Sequence, residues 1–77
     1  MENNYNTMLI LPNSPIRLGQ IYLDTKYGDM NTIVAIHFYA GTKDIAYYDM
    51  CSTIFGNQII LPNMIKRYIK EKQLILQ

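Results

Sequence analysis

The sequence has little of what enzymes and metal proteins need. Its 77 residues include one cysteine, one histidine and no tryptophan. Cys51 has no second cysteine for an internal disulfide, and one thiol with one imidazole does not make a metal site of soft ligands. The glycines are isolated, so no phosphate-binding loop is present. The sequence therefore predicts a protein of a reducing cytoplasm that is not an enzyme and needs no metal or cofactor.

Long hydrophobic runs and a strong net charge are also missing. The longest apolar run, Met8–Leu11, is far too short to span a membrane, and the chain does not open like a signal peptide. The net charge of +1 excludes an acidic mimic of nucleic acid and gives no general attraction for phosphates. We therefore expect a soluble protein without a membrane partner. Basic residues gather near the C-terminus, at Lys66, Arg67, Lys70 and Lys72.

The hydrophobic fraction of 49% is typical of a globular chain, and the length allows a single domain over residues 1–77. Residues 1–6 are polar and are expected to be loose. The segment Thr7–Leu11 is predicted as a strand that Pro12 ends, and Ile16–Asp24 as a strand with a β-bulge or a sharp bend at its glycine. Further strands are predicted at Thr32–Ala40, Ile45–Met50 and Gln58–Leu61, with turns at residues 26–31, 41–44 and 51–57.

After the last of these strands the apolar spacing changes from that of a strand to that of a helix. Asn63 is a good N-cap, and residues 63–72 carry apolar side chains on one face and basic side chains on the other. Leu74–Leu76 fits either the end of this helix or a final strand. The fold predicted is mainly β (α+β): a small barrel or curled antiparallel sheet of five to six short strands, with one short C-terminal helix.

Four segments of the chain also carry a resemblance. GQIYLD, TIVAIHFY, IAYYDM and QIILPNMIKRYIK, in that order, resemble small proteins of phages and mobile elements that have an SH3-like barrel. The likeness covers about residues 16–76, and the strand predicted at Thr7–Leu11 departs from the pattern. It implies an SH3-like barrel encoded by a phage or mobile element and working in the cytoplasm of a bacterial host, but it transfers no active site.

Tyrosine is the unusual component, with seven copies in the chain. Alternation along Thr32–Ala40 predicts that Val34, Ile36 and Phe38 face the core. The side chains expected on the outer face are then those of His37 and Tyr39, joined across neighbouring strands by Tyr22 and by one of Tyr47 and Tyr48. Tyrosines are enriched where proteins meet partners, but they also cover small cores, and the sequence leaves both readings open.

Three functions fit these features. The first is a non-catalytic module that binds a protein and so modulates or inhibits a host or defence enzyme. The second is a nucleic-acid-binding barrel with phosphate contacts from the basic helix. The third is a homodimer or assembly protein formed by edge pairing of Thr7–Leu11 or Leu74–Leu76. A hydrolase using Cys51 and His37 is the weakest reading. The residues predicted to bind the partner are Tyr22, His37, Tyr39, Tyr47, Lys66, Arg67 and Lys70.

Overall fold

A computed structural model gives the structure of the protein and describes residues 16–77. The predicted loose start at residues 1–6 and the predicted strand Thr7–Leu11 lie outside the described residues. Within the described part, five strands and one helix follow each other along the chain. They are β1 (Ile21–Asp24), β2 (Met30–Phe38), β3 (Ile45–Ser52), β4 (Gly56–Ile60), α1 (Pro62–Lys70) and β5 (Leu74–Leu76).

The strands form one antiparallel sheet in the order β4-β3-β2-β1-β5. Within residues 16–77, β4 and β5 are its two edges, so the sheet is open. The prediction of a mainly β protein with a small curled sheet and one short helix is confirmed. The last segment, which the sequence left as helix or strand, is the edge strand β5, and it pairs with β1.

Several predicted boundaries were wrong. The strand predicted from residue 16 begins only at Ile21, because Leu18 and Gly19 form a turn in which Gly19 has a φ of +85°. Residues on either side of this turn still bond to β2: the Gly19 amide donates to the Ile33 carbonyl, and the Ile33 amide donates to the Gln20 carbonyl. The predicted connection at residues 51–57 shrinks to the three-residue turn 53–55, since β3 and β4 both extend toward it.

The helix begins one residue earlier than predicted, at Pro62, and ends two residues earlier, at Lys70. The predicted N-cap, Asn63, is wrong: the N-cap is Leu61, whose extended backbone suits the position, although no side chain of the described residues caps the helix. At the other end Lys72 adopts a φ of +66°, and the amide of Gln73 donates to the Tyr68 carbonyl. This left-handed cap ends the helix and turns the chain into β5.

The core lies between the inner face of the sheet and the helix. Its buried members come from every strand and from α1, in which Ile65 is completely buried. The buried apolar residues are Ile16, Tyr22, Ile33, Tyr48, Met50, Ile60, Ile65 and Leu74. Tyr22 and Tyr48 therefore belong to the core and not to a surface that could meet a partner.

In β2 the predicted core face was wrong at its first position. Ile33 is 1% exposed, whereas Val34, predicted to be inside, is 46% exposed. The register against β3 shifts between Ile33 and Ala35. A register shift of this kind interrupts the strict alternation of inward and outward side chains along the strand. Beyond the shift the inward phase changes, and Ile36 packs against the core as predicted.

Tyr22 gives the fold a measurable pH dependence. Burial raises the pKa of its phenol, and the neighbouring Tyr48 adds to the rise. The pKa of the phenol is thus higher in the folded protein than the ordinary value of 10.0, which applies to the unfolded chain. The protonated phenol contributes its full stability below pH 10.0, and this contribution is lost as the pH rises through the raised pKa. We expect Tyr22→Phe to flatten the decline in the free energy of unfolding above about pH 10, measured by urea denaturation. An equally steep decline in both proteins would contradict the assignment.

Candidate functional site

The outer face of the β2-β3 hairpin holds two of the side chains that the sequence singled out, His37 and Tyr47. His37 lies opposite Tyr47 in the register, and their rings stack with centroids 4.2 Å apart and planes 17° apart. His37 Nε2–H donates to Asp49 Oδ2 at 2.9 Å. The structure therefore brings His37 and Tyr47 together, as the alternation predicted, and adds Asp49 to them. Tyr48 is the member of the Tyr47-Tyr48 pair that faces the core.

The other two tyrosines predicted on this face do not join the stack. Tyr22 is 2% exposed and its hydroxyl donates to Gln20 Oε1 at 2.9 Å, so the prediction that it faces outward was wrong. The cause is the short β1: its register places Tyr22 opposite the buried Asn31, on the inner side of the sheet. Tyr39 is exposed but follows the end of β2, where its amide donates to the Asp44 carbonyl.

Cys51 and His37 do not meet. Cys51 lies opposite Thr32, four residues along β3 from Tyr47, the cross-strand neighbour of His37. At the rise of a strand this separation is about 13 Å, far beyond hydrogen-bond reach. The register thus gives no support to a nucleophile built from this thiol and this imidazole.

The basic residues predicted to bind a partner are exposed on α1. Lys66 lies in its middle, and Arg67 and Lys70 lie in its last turn. Cations in the last turn of a helix are favoured by the helix dipole. The Arg67 guanidinium also lies 5.4 Å from the centre of the Tyr68 ring. A local structural role therefore accounts for two of these three cations without a ligand.

A concave site opens elsewhere, between the β1-β2 turn and the β3-β4 turn. Two adjoining pockets, of about 250 and 280 Å³, share Asp24, Tyr27 and Gln58 in their walls. The first is completed by Asp29 and Phe55, and the second runs on toward α1 and β5. We call the first pocket, lined by Asp24, Tyr27, Asp29, Phe55 and Gln58, the turn groove. It is the candidate functional site, because it combines a hollow with polar groups of defined geometry.

Three buried polar residues lie under the turn groove: Asp29, Asn31 and Ser52. Ser52 Oγ donates to Asp29 Oδ2, and Asn31 Nδ2 donates to the same oxygen at 3.2 Å. Asp29 Oδ1 is buried and accepts no hydrogen bond from any residue that the structure describes. A buried carboxylate with one oxygen unsatisfied is costly, and it marks a position where a donor is missing.

Ser52 also ties this polar cluster to the β3-β4 turn. Its Oγ accepts hydrogen bonds from the amides of Ile54 and Phe55, at 3.1 and 3.0 Å. The turn is further held against β2 by Thr53, whose amide donates to the Met30 carbonyl and whose Oγ1 accepts from the Met30 amide. The backbone of the turn that carries Phe55 is therefore fixed from two sides.

The rim of the groove is aromatic and exposed. Tyr27 and Phe55 meet edge to face with centroids 5.4 Å apart, and they are 53% and 51% exposed. Lys26 places its Nζ 5.3 Å from the centre of the Tyr27 ring. On the opposite wall the Asp24 carboxylate is satisfied, since it accepts from the amides of Lys26 and Tyr27 and from Gln73 Nε2.

Sequence reasoning missed this site. Asp29 had been interpreted as a turn residue, and Phe55 as part of a connection. One signal was available: Asp29, Asn31 and Ile33 alternate in phase, so an inward Ile33 also places the two polar residues inward. This signal identifies Asp29 and Asn31 as inward-facing only once it is known that Ile33 faces the core.

No family model, curated protein or solved structure matches the chain. Among residues 16–77, no group of three or more His, Cys, Asp or Glu residues is placed to hold a metal ion. The same part of the chain has no helix long and apolar enough to cross a membrane.

Proposed function

We propose that the protein is a non-catalytic module that binds another protein at the turn groove. One observation carries the proposal: two large aromatic side chains stand exposed together in the wall of a hollow, and an exposed apolar side chain precedes one of them in the chain. Tyr27 contacts Phe55 across the two turns, and Ile54 precedes Phe55 and is 60% exposed. Aromatic and apolar side chains grouped in this way at the surface are typical of protein interfaces. Origin in a phage or mobile element, and action on a host or defence enzyme, are proposed from the sequence resemblance alone.

The polar part of the groove suits a protein partner better than a nucleic acid. Asp24 and Asp29 line it, whereas Lys26 lines only the adjoining pocket. Carboxylates repel phosphates, whereas they complement the basic side chains that proteins present. The half-buried His37 and Tyr47 and the exposed Tyr39 belong to the β2-β3 hairpin and do not line the groove. We propose the hairpin as a second contact surface for the partner.

Affinity capture with matched variants tests the proposal. We expect Phe55→Ser to weaken retention of the bound partner by about 10- to 30-fold, the effect of losing one aromatic anchor from an interface. The control is Ile59→Ser, which removes an even more exposed apolar side chain from the edge strand β4 and should leave retention unchanged. A photo-cross-linking residue in place of Phe55 should label the same partner.

Two outcomes would move the function elsewhere. If a cross-linking residue in place of Tyr39 labels the partner, the one in place of Phe55 does not, and Phe55→Ser has no effect, the hairpin face is the interface and the turn groove is not. If the chain co-elutes with random-sequence DNA or RNA at low salt and loses it when Lys66, Arg67 and Lys70 are replaced by alanine, the nucleic-acid function stands in place of this one. Light scattering in the same runs reports whether the chain is a homodimer.

A further inference from the structure

We propose that the turn groove binds an arginine side chain of the partner protein, with the guanidinium facing Asp29 Oδ1 and packed against the rings of Tyr27 and Phe55. The inference rests on the proposed function and names the chemistry that the groove recognises. It begins from two features of one lining: Asp29 has a buried carboxylate oxygen that lacks a donor, and Tyr27 and Phe55 form an exposed aromatic pair.

The state of Asp29 points to a cationic donor. The residue is 2% exposed, and its two hydrogen bonds both go to Oδ2. Among the described residues, the contact within ion-pair distance is the one between His37 and Asp49. No lysine, arginine or histidine of that part of the chain lies within ion-pair distance of Asp29. A buried charge is tolerated best when a partner neutralises it, and a ligand with a cationic group would supply that charge here.

The lining selects a guanidinium over an ammonium or a metal ion. A guanidinium is planar, carries five N–H donors and stacks on aromatic faces, so it can use the carboxylate, the Gln58 amide oxygen and the rings together. The ring of Tyr27 already accepts the Lys26 ammonium at 5.3 Å, which shows that it is open to cations. A metal ion would need three ligands, and the described residues offer no such group.

Size and access agree with a side chain as the ligand. The pocket of about 250 Å³ is smaller than the roughly 300–1,000 Å³ usual for small-molecule sites. Because Oδ1 is buried, the guanidinium reaches it only if side chains in the wall of the groove move, and the exposed side chains in that wall are Tyr27 and Phe55. Both side chains are half exposed and stand on turns, so they can separate without disturbing the core residues.

A pair of peptides that differ only in charge tests the inference. The probes are acetyl-Gly-Arg-Gly-amide and the same peptide with citrulline, which keeps the shape of arginine but is neutral. We expect the arginine peptide to shift the backbone amide signals of Gly28, Ile54 and Phe55 in NMR titrations. The citrulline peptide should bind at least about 10-fold more weakly, because it brings no charge to the buried carboxylate.

Two variants of the protein complete the experiment. Asp29→Asn keeps the size of the side chain and should weaken binding of the arginine peptide by at least about 10-fold, in line with the loss of one charge-assisted contact. Asp44→Asn removes an exposed carboxylate from the turn between β2 and β3 and should leave binding unchanged. The amide spectrum of each free variant reports whether it is folded.

The outcomes separate this inference from the proposed function. Equal binding of the citrulline peptide, or undiminished binding by folded Asp29→Asn, would overturn the arginine assignment. If neither peptide shifts the groove signals at millimolar concentration while a partner is still captured through Phe55, the inference fails and the protein-binding function stands. Arginine binding that depends on Asp29 supports the inference even where capture through Phe55 fails.

Discussion

Replacing Ile33 by alanine is expected to lower the free energy of unfolding by about 2–5 kcal/mol, the range measured for deletion of a buried isoleucine side chain. Ile33 is 1% exposed and lies opposite Met50 in the central pair of strands. The substitution leaves a cavity that β2 cannot close, because both polar groups of the Ile33 backbone are bonded to the segment before β1. Urea denaturation followed by circular dichroism measures the loss.

The adjacent residue supplies the control. Val34→Ala removes fewer atoms from a side chain that is 46% exposed, and we expect a change within about 0.5 kcal/mol, as at other surface positions. If Val34→Ala proves the more damaging of the two, the face of β2 has been assigned the wrong way round. If Ile33→Ala shows no cooperative transition, Ile33→Val gives the smaller loss of about 0.5–1.5 kcal/mol that the same packing predicts.

This pair of residues also shows why alternation alone could not identify the core face of β2. The segment is apolar on both phases, so either set of side chains could have been inside. Because of the register shift after Ile33, the odd-numbered phase faces the core before the shift and the even-numbered phase faces it afterwards. Ile33 is therefore inside by the first phase and Ile36 by the second. Such a shift depends on pairing with β3, and the sequence of β2 carries no local sign of it.

The strands and the helix were easier to predict, because turn residues and helical spacing are local. Gly41 and Asp44 mark the turn between β2 and β3, and the apolar spacing after Leu61 gives α1 to within two residues. The end of the helix was harder, since Lys72 occupies a left-handed position where glycine is usual. Its carbonyl accepts a hydrogen bond from Thr25 Oγ1, a contact between segments far apart in the chain.

The candidate site was less accessible to sequence reasoning than the fold. His37 and Tyr47 could be paired from the hairpin, because a short turn sets which strands are neighbours. The turn groove needs Asp29, Ser52 and Phe55 together, and they come from two turns more than twenty residues apart. Sequence spacing does not show that these turns lie at the same end of the sheet.

Replacing Ser52 by alanine is the second change with a large expected effect. Its Oγ makes three hydrogen bonds, one donated to the Asp29 carboxylate and two accepted from the amides of Ile54 and Phe55. Loss of a bond to a charged group, with buried partners left unsatisfied, is expected to lower the free energy of unfolding by about 2–3 kcal/mol. Denaturation in urea measures the change, and Cys51→Ala, at the exposed neighbour on β3, should stay within about 0.5 kcal/mol. Equal effects of the two substitutions would show that the Ser52 hydroxyl is not part of a stabilising network.

Replacing Asp29 by asparagine, in contrast to Ser52→Ala, is expected to leave the free energy of unfolding undiminished. The Asp29→Asn side chain still offers an oxygen to Ser52 while removing a buried charge that has no counter-ion among the described residues, so we expect no loss of stability. In the Asp29→Asn background, Ser52→Ala should cost about 1 kcal/mol less than in the wild type, because the bond it breaks no longer ends on a charge. If the two effects are instead additive, the hydroxyl acts through the β3-β4 turn alone. A carboxylate whose charge adds no stability to the fold is what we expect if its role is to bind the arginine side chain that we propose.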